Sequence, residues 1–241
     1  MRAPELNHPF AAILVLFAIF TFSQAGAFAT TLDAAADFSA SANPNGVWSY
    51  GSEATLGGPF VLFTTSSMSD LGGSIESWRG PSGLPGVFYN PTAAPVSFST
   101  ILIAPGQLFL HPADVGVYAV VRFTAPSLGL YSIASAFTTI DTCPCHETDV
   151  HVLLNGFSLF DDMLAGDFGV PHSFSNSSIS LLAGDTIDFA VGPNAAASFD
   201  STALGASIVT DAPATAPEPS TWLLLVLGLA WLTALRRHRQ Q

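Results

Sequence analysis

The sequence predicts an all-β domain, an antiparallel β-sandwich of jelly-roll outline, flanked by an N-terminal signal helix and a C-terminal hydrophobic helix. Three observations carry this. Apolar, β-branched and aromatic residues fall in short alternating or continuous runs, each bounded by Gly, Pro, Asn or Asp. Between the two ends, no stretch shows the i, i+3, i+4 apolar stripe of an amphipathic helix. The runs recur at the regular short spacing of a sandwich, and 20 glycines and 17 prolines supply their punctuation.

Residues 1–29 read as a secretory signal peptide. Arg2 and the free amino terminus precede an apolar run over 11–22 broken only by Thr21, and the small residues Ala25, Ala27 and Ala29 follow. Cleavage is expected after Ala25 or Ala29; a retained N-terminal anchor is the alternative, since Pro4, Glu5 and His8 weaken the charged front. Residues 30–212 form the predicted sandwich, with strands over 47–50, 60–64, 96–103, 107–110, 117–123, 130–138, 149–154, 178–182, 186–191 and 204–210. Asn155-Gly156 between 150–154 and 157–160 predicts a two-residue hairpin, because both residues tolerate positive φ. Gly184-Asp185 gives a weaker signal of the same kind.

Charge is lopsided. The chain has no lysine, and of its six arginines only Arg79 and Arg122 lie between the two ends, against sixteen acids, a net charge there of about −14. Such a surface repels nucleic acid and anionic lipid and attracts divalent cations weakly. With apolar residues at 49% and charged residues at 10%, the chain can nevertheless build a core, and its length suits one domain.

Residues 213–241 carry the most specific pattern. Ala216-Pro217-Glu218-Pro219-Ser220-Thr221 forms a stem whose prolines cannot continue a helix; an apolar run over 222–235 and then Arg236, Arg237, His238 and Arg239 follow. This order resembles the C-terminus of the PEP-CTERM proteins of Gram-negative bacteria, with Ala216 where many members carry Val. The resemblance implies that Pro217, Glu218 and Pro219 are the sorting motif read by an exosortase-like membrane protease, that 221–235 is a transmembrane segment, and that Arg236, Arg237 and Arg239 stop transfer. It also implies export through secretion machinery to the cell surface or an exopolysaccharide matrix. Fourteen apolar residues at about 1.5 Å each span roughly 21 Å, short of a bilayer core of about 30 Å, which suits a transient span; a permanent anchor is the alternative.

A second resemblance spans about residues 37–210. Asn43 to Gly51, Leu108 to Pro112, Val120 to Pro126, Asn155-Gly156 and Ala183 to Gly192 look like a recurring exported bacterial domain, similar in outline to jelly-roll carbohydrate-binding modules. It implies polysaccharide as a partner. Trp78, beside Arg79 in a Gly- and Pro-rich segment, is expected to be exposed as a sugar platform, with Glu76 and Arg79 catching hydroxyls. Trp48 and Tyr50 share a strand face and are expected to fill the core, with a platform role as the alternative. Arg122 needs a carboxylate partner if it points inward. His111-Pro112 reads as a turn, and His151 as solvent-facing.

The stretch Asp141 to Asp149, with His151 just beyond, concentrates chemistry. After export Cys143 and Cys145 meet an oxidising compartment, which favours a disulfide between them; metal ligation is the alternative, and the metal is unassigned because a lone Cys-x-Cys lacks the second pair of a zinc site. Asp161, Asp162 and Asp167, in a loop after the hairpin, and Asp200, near the last strand, are expected to be solvated acids, with calcium binding as the alternative; otherwise no cofactor is expected. No nucleophile elbow, H-E-x-x-H, phosphate loop or dinucleotide fingerprint occurs, and no catalytic carboxylate pair stands out. The chain therefore reads as an exported, non-catalytic, polysaccharide-binding surface or matrix protein. Its rivals are a structural or adhesive matrix protein and a polysaccharide-cleaving enzyme.

Overall fold

The structure, a computed structural model, describes residues 29–211 except 115, 144 and 146. Sixteen strands follow in order: β1 Thr30–Asp33, β2 Trp48–Glu53, β3 Phe60–Leu62, β4 Thr65–Asp70, β5 Ile75–Arg79, β6 Gly86–Tyr89, β7 Val96–Phe98, β8 Ile101–Ile103, β9 Leu108–His111, β10 Tyr118–Thr124, β11 Gly129–Thr139, β12 Glu147–Leu154, β13 Phe157–Ala165, β14 Pro171–Leu181, β15 Thr186–Gly192 and β16 Thr202–Asp211. One sheet runs β14-β11-β16-β9-β6-β5-β4, with β1 also on β16, and a second runs β13-β12-β15-β10-β2-β3. All pairings within them are antiparallel, as expected for a sandwich. The two flanking helices expected from sequence lie outside the described residues, as do Pro217, Glu218, Pro219, Arg236, Arg237 and Arg239. Among the described residues no helix is long and apolar enough to cross a membrane.

Alternation places the core between the sheets. Trp48 and Tyr50 on β2, Val121 and Phe123 on β10, Phe189 on β15 and Val150 and Val152 on β12 share one face and meet Tyr131, Ile133, Phe137, Leu204 and Ile208 of the other sheet. Trp48 packs edge-on against Phe123 with ring centroids 5.6 Å apart, a favoured aromatic geometry. A second cluster, including Ile75, Phe88, Ile103 and Phe109, lies on the opposite face of the larger sheet beneath the β7–β8 hairpin.

The structure differs from the expected strands at definite places. The run over 96–103 breaks at Ser99, whose φ is 52°, into the separate strands β7 and β8. Strands β1, β4, β5 and β6 carry no clean apolar alternation and were not expected. Asn155-Gly156 does form the tight turn of the β12–β13 hairpin, with φ values of 51° and 81°. Gly184-Asp185 instead joins β14 of one sheet to β15 of the other, so it is a crossover and not a hairpin. Asp161 and Asp162 lie within β13 and not in a loop.

Strand directions give the sandwich two unlike ends. Thr30 pairs with Thr210, so both ends of the described chain leave at one of them. β16 starts at the other, where Thr202 pairs with Leu110. That end also gathers the segments 80–85, 112–117 and 193–201, because Arg79 pairs with Gly86 and Gly86 with His111.

Candidate functional site

A cleft of about 960 Å³ opens at the end of the sandwich away from the chain ends, beside a second hollow of about 490 Å³. The two share Arg79, Ser82, Leu84, His111, Ser198 and Phe199. The row Arg79–Gly86–His111 explains why a cation and an imidazole line the same hollow. A Cβ at Gly86 would lie 2.7 Å from the Phe88 ring and 3.2 Å from Arg79 Cγ, so only glycine lets both side chains cross this row.

Each polar group is held differently. Arg79 Nε lies 3.0 Å from Asp70 Oδ2, an ion-pair distance without the alignment of a hydrogen bond. His111 Nδ1 faces the Pro112 carbonyl at 2.8 Å; a carbonyl only accepts, so Nδ1 carries the proton and Nε2 is left as an acceptor. Burial pushes the His111 pKa down, against the opposing pull of the Pro112 carbonyl, Asp141 and Asp114, and the ring is neutral at pH 7. Asp114 accepts the Ala197 N–H at 3.1 Å and so ties the segment 193–201 to the β9–β10 connection. Leu84 and Phe199, 37% and 38% exposed, supply apolar surface at the mouth.

The sugar platform expected at Trp78 is not formed. Trp78 is 8% exposed and its Nε1–H donates to the Ser39 carbonyl at 2.7 Å. Strand alternation is the reason: Glu76 and Trp78 point to the inner face of β5, and Arg79 to the outer one, so the three cannot act on one ligand. Only Arg79 reaches the cleft. Phe199 and His111 were missed there; an aromatic among the small residues of 195–201 is the one local signal that could have found Phe199.

Two further polar centres lie outside the cleft. Arg122 Nε and Nη2 donate to Asp188 at 2.6 and 2.8 Å, Nη2 also to Glu53 at 3.2 Å, and the guanidinium sits 4.1 Å over the Phe60 ring. Both acids are fully buried. Burial and the charge of Asp188 push the Glu53 pKa up to about 7, although the Gly57 N–H and Arg122 oppose it. Burial likewise raises Asp188 against the pull of Arg122. Arg122 thus lies on the outer face of its sheet, since Val121 and Phe123 take the inner one, but it is paired there with buried carboxylates beneath Phe60 and is not an open surface residue.

His151 takes the outer face of its sheet, as its alternation with the core residues Val150 and Val152 requires, but it is only 8% exposed because Tyr118, Asp149 and Asp161 enclose it. Its Nδ1 donates to Asp161 at 2.6 Å and its Nε2 to Asp149 at 2.9 Å. His172 is held the same way, at 2.7 Å from Asp162 and in contact with Asp167. Burial lowers both imidazole pKa values, but the hydrogen bonds to the acids outweigh it and the net shift is upward. Asp161 and Asp162 are thus histidine partners, and Asp200 accepts the Thr148 hydroxyl at 3.0 Å. Among the described residues no group of three or more His, Cys, Asp or Glu is arranged to hold a metal. Cys143 and Cys145 are joined in a disulfide with Cα atoms 5.2 Å apart.

No protein-family profile matches the chain, and no curated protein matches it. Among solved structures it is similar to a CBM51 module from Clostridium perfringens GH95 in complex with methyl-galactose, at 13% identity over 75% of this chain and 100% of that one, with a TM-score of 0.37. A family 35 carbohydrate binding module from Clostridium thermocellum matches at 15% identity over 42% of this chain and 76% of that one, TM-score 0.29. A Stig cyclase from Fischerella sp. TAU matches at 12% over 69% and 84%, TM-score 0.36. Likeness at this level assigns neither ligand nor activity to this chain.

Proposed function

We propose that this domain is a non-catalytic polysaccharide-binding module that takes its ligand in the end cleft, carried by a protein exported to the cell surface or exopolysaccharide matrix. The observation that carries the reading is the pairing, in one concave site, of the exposed Phe199 and Leu84 with Arg79, the free Nε2 of His111 and Asp114. A sugar ring offers an apolar C–H face and a rim of hydroxyls, and such a site has a counterpart for each. Glycoside hydrolysis needs a carboxyl kept protonated beside the scissile bond. The acids whose pKa is raised, Glu53 and Asp188, are bound to Arg122 and do not line the cleft, which favours binding over cleavage. Export rests on the two sequence ends, which make secretion machinery, an exosortase-like protease and, at least transiently, the membrane its partners; the acidic surface disfavours nucleic acid.

A glycan array probed with the full-length protein tests this. Retention of a polysaccharide, weakened about tenfold by Arg79→Gln, is expected, and a thermal melt of the variant separates lost contact from lost fold. Retention of no glycan leaves the structural or adhesive role, and release of reducing sugar makes the protein an enzyme.

A further inference from the structure

Phe199 is a non-glycine residue with φ of 69°, in the left-handed region that a bulky side chain rarely adopts. Its backbone is held there from both sides. Two residues before it, Ala197 N–H is bound by Asp114 at 3.1 Å; one residue after it, the buried Asp200 accepts the Thr148 hydroxyl at 3.0 Å, and its carbonyl accepts that of Thr202 at 3.2 Å. A bulky residue kept in a costly conformation by anchored neighbours, yet left 38% exposed, earns little from packing. Its ring contributes to the wall of both hollows at once.

We infer that Phe199 is the ridge on which one sugar stacks, and that the hollows on either side are two successive subsites for an internal stretch of a neutral polysaccharide. This rests on the polysaccharide-binding reading of the cleft. The ligand class follows from the charges around it. Asp114 lines the larger hollow and Asp141 the smaller, Asp70 sits against Arg79, and Arg79 is the sole arginine there, with His111 neutral. A uronate or other anionic sugar would meet an excess of carboxylate, whereas hydroxyls can bond to either sign. The smaller hollow, lined by Phe88, Ile101 and Phe109, suits the apolar face of a ring; the larger, with Ser52, Thr64 and Asp114, suits its hydroxyls.

Two substitutions at one position test this in the full-length protein. Phe199→Ala and Phe199→Gly both remove the ring, but only glycine relieves the backbone. Both should lose about tenfold or more in glycan retention, while the glycine variant melts roughly 2–4 °C above the alanine one. Phe199→Tyr should retain binding, and neutral oligosaccharides of two or more units should compete where uronate-bearing ones do not. Retention by Phe199→Ala within twofold of the parent overturns the ridge and leaves the cleft reading standing. Preference for acidic glycans overturns the ligand class. Failure of the parent itself to retain any glycan overturns the cleft reading along with the ridge.

Discussion

Glu53 and Asp188 share the single guanidinium of Arg122 in a place where neither touches water. Two buried negative charges against one positive charge is an unfavourable count, and Glu53 answers it by keeping its proton up to about pH 7. The unfolded chain releases that proton near pH 4.5. Between these values the folded state holds a proton that the unfolded state has lost, so stability falls as pH rises through the window, by roughly 3 kcal/mol in all. His151 and His172 act in the same direction, since stability from a raised imidazole pKa is present below its ordinary value and is lost as pH rises through the folded one. The lowered Asp149, Asp161 and Asp162 act oppositely, losing their contribution only as pH falls below the carboxylate range. Urea midpoints should therefore peak at roughly pH 4–5. Glu53→Gln should flatten most of the decline between pH 5 and 8, leaving the histidine part; an unchanged slope would show that the pair is not where the proton resides.

At the scale of elements, the β12–β13 hairpin joins turn chemistry to tertiary packing. Asn155 adopts positive φ, donates through its amide to Asp185 at 3.0 Å and accepts the Thr186 N–H at 2.8 Å, while a Cβ at Gly156 would come within 3.0 Å of the Gly57 carbonyl. Asn155→Ala should cost about 1–2 kcal/mol in urea unfolding, from the lost bonds and the strained turn; a loss below about 0.5 kcal/mol would mean that the turn is held from elsewhere. This hairpin was legible in the sequence because its signal is local. So were β9, β10, β11, β12, β15 and β16, whose inward positions are apolar. The edge strand β4, Thr-Ser-Ser-Met-Ser-Asp, was not, since a half-exposed edge needs no apolar alternation. Site residues fared worse for a related reason. His111 and Phe199 meet only because β9 pairs with the start of β16, a long-range register that no window of neighbouring residues contains. Trp78 was misplaced because the Gly and Pro around it read as a loop, whereas its strand is paired on both sides by β4 and β6.

For the molecule as a whole, the expectation to test is processing. Mass spectrometry of native protein from membrane, surface and medium fractions should show material lacking residues up to Ala25 or Ala29 and cut near 217–221. An intact C-terminus confined to the membrane would make the chain a tail-anchored envelope domain. The domain's geometry bears on either outcome. Its two chain ends leave together at Thr30 and Thr210, and β16, ten residues and about 33 Å long, separates them from the cleft. The exits thus lie at the opposite end of the domain from the mouth, and a surface that carries many copies of the domain carries as many mouths. One long polymer could then be gripped by many of them, and weak individual grips would combine into slow release, with avidity set by how densely the copies are planted.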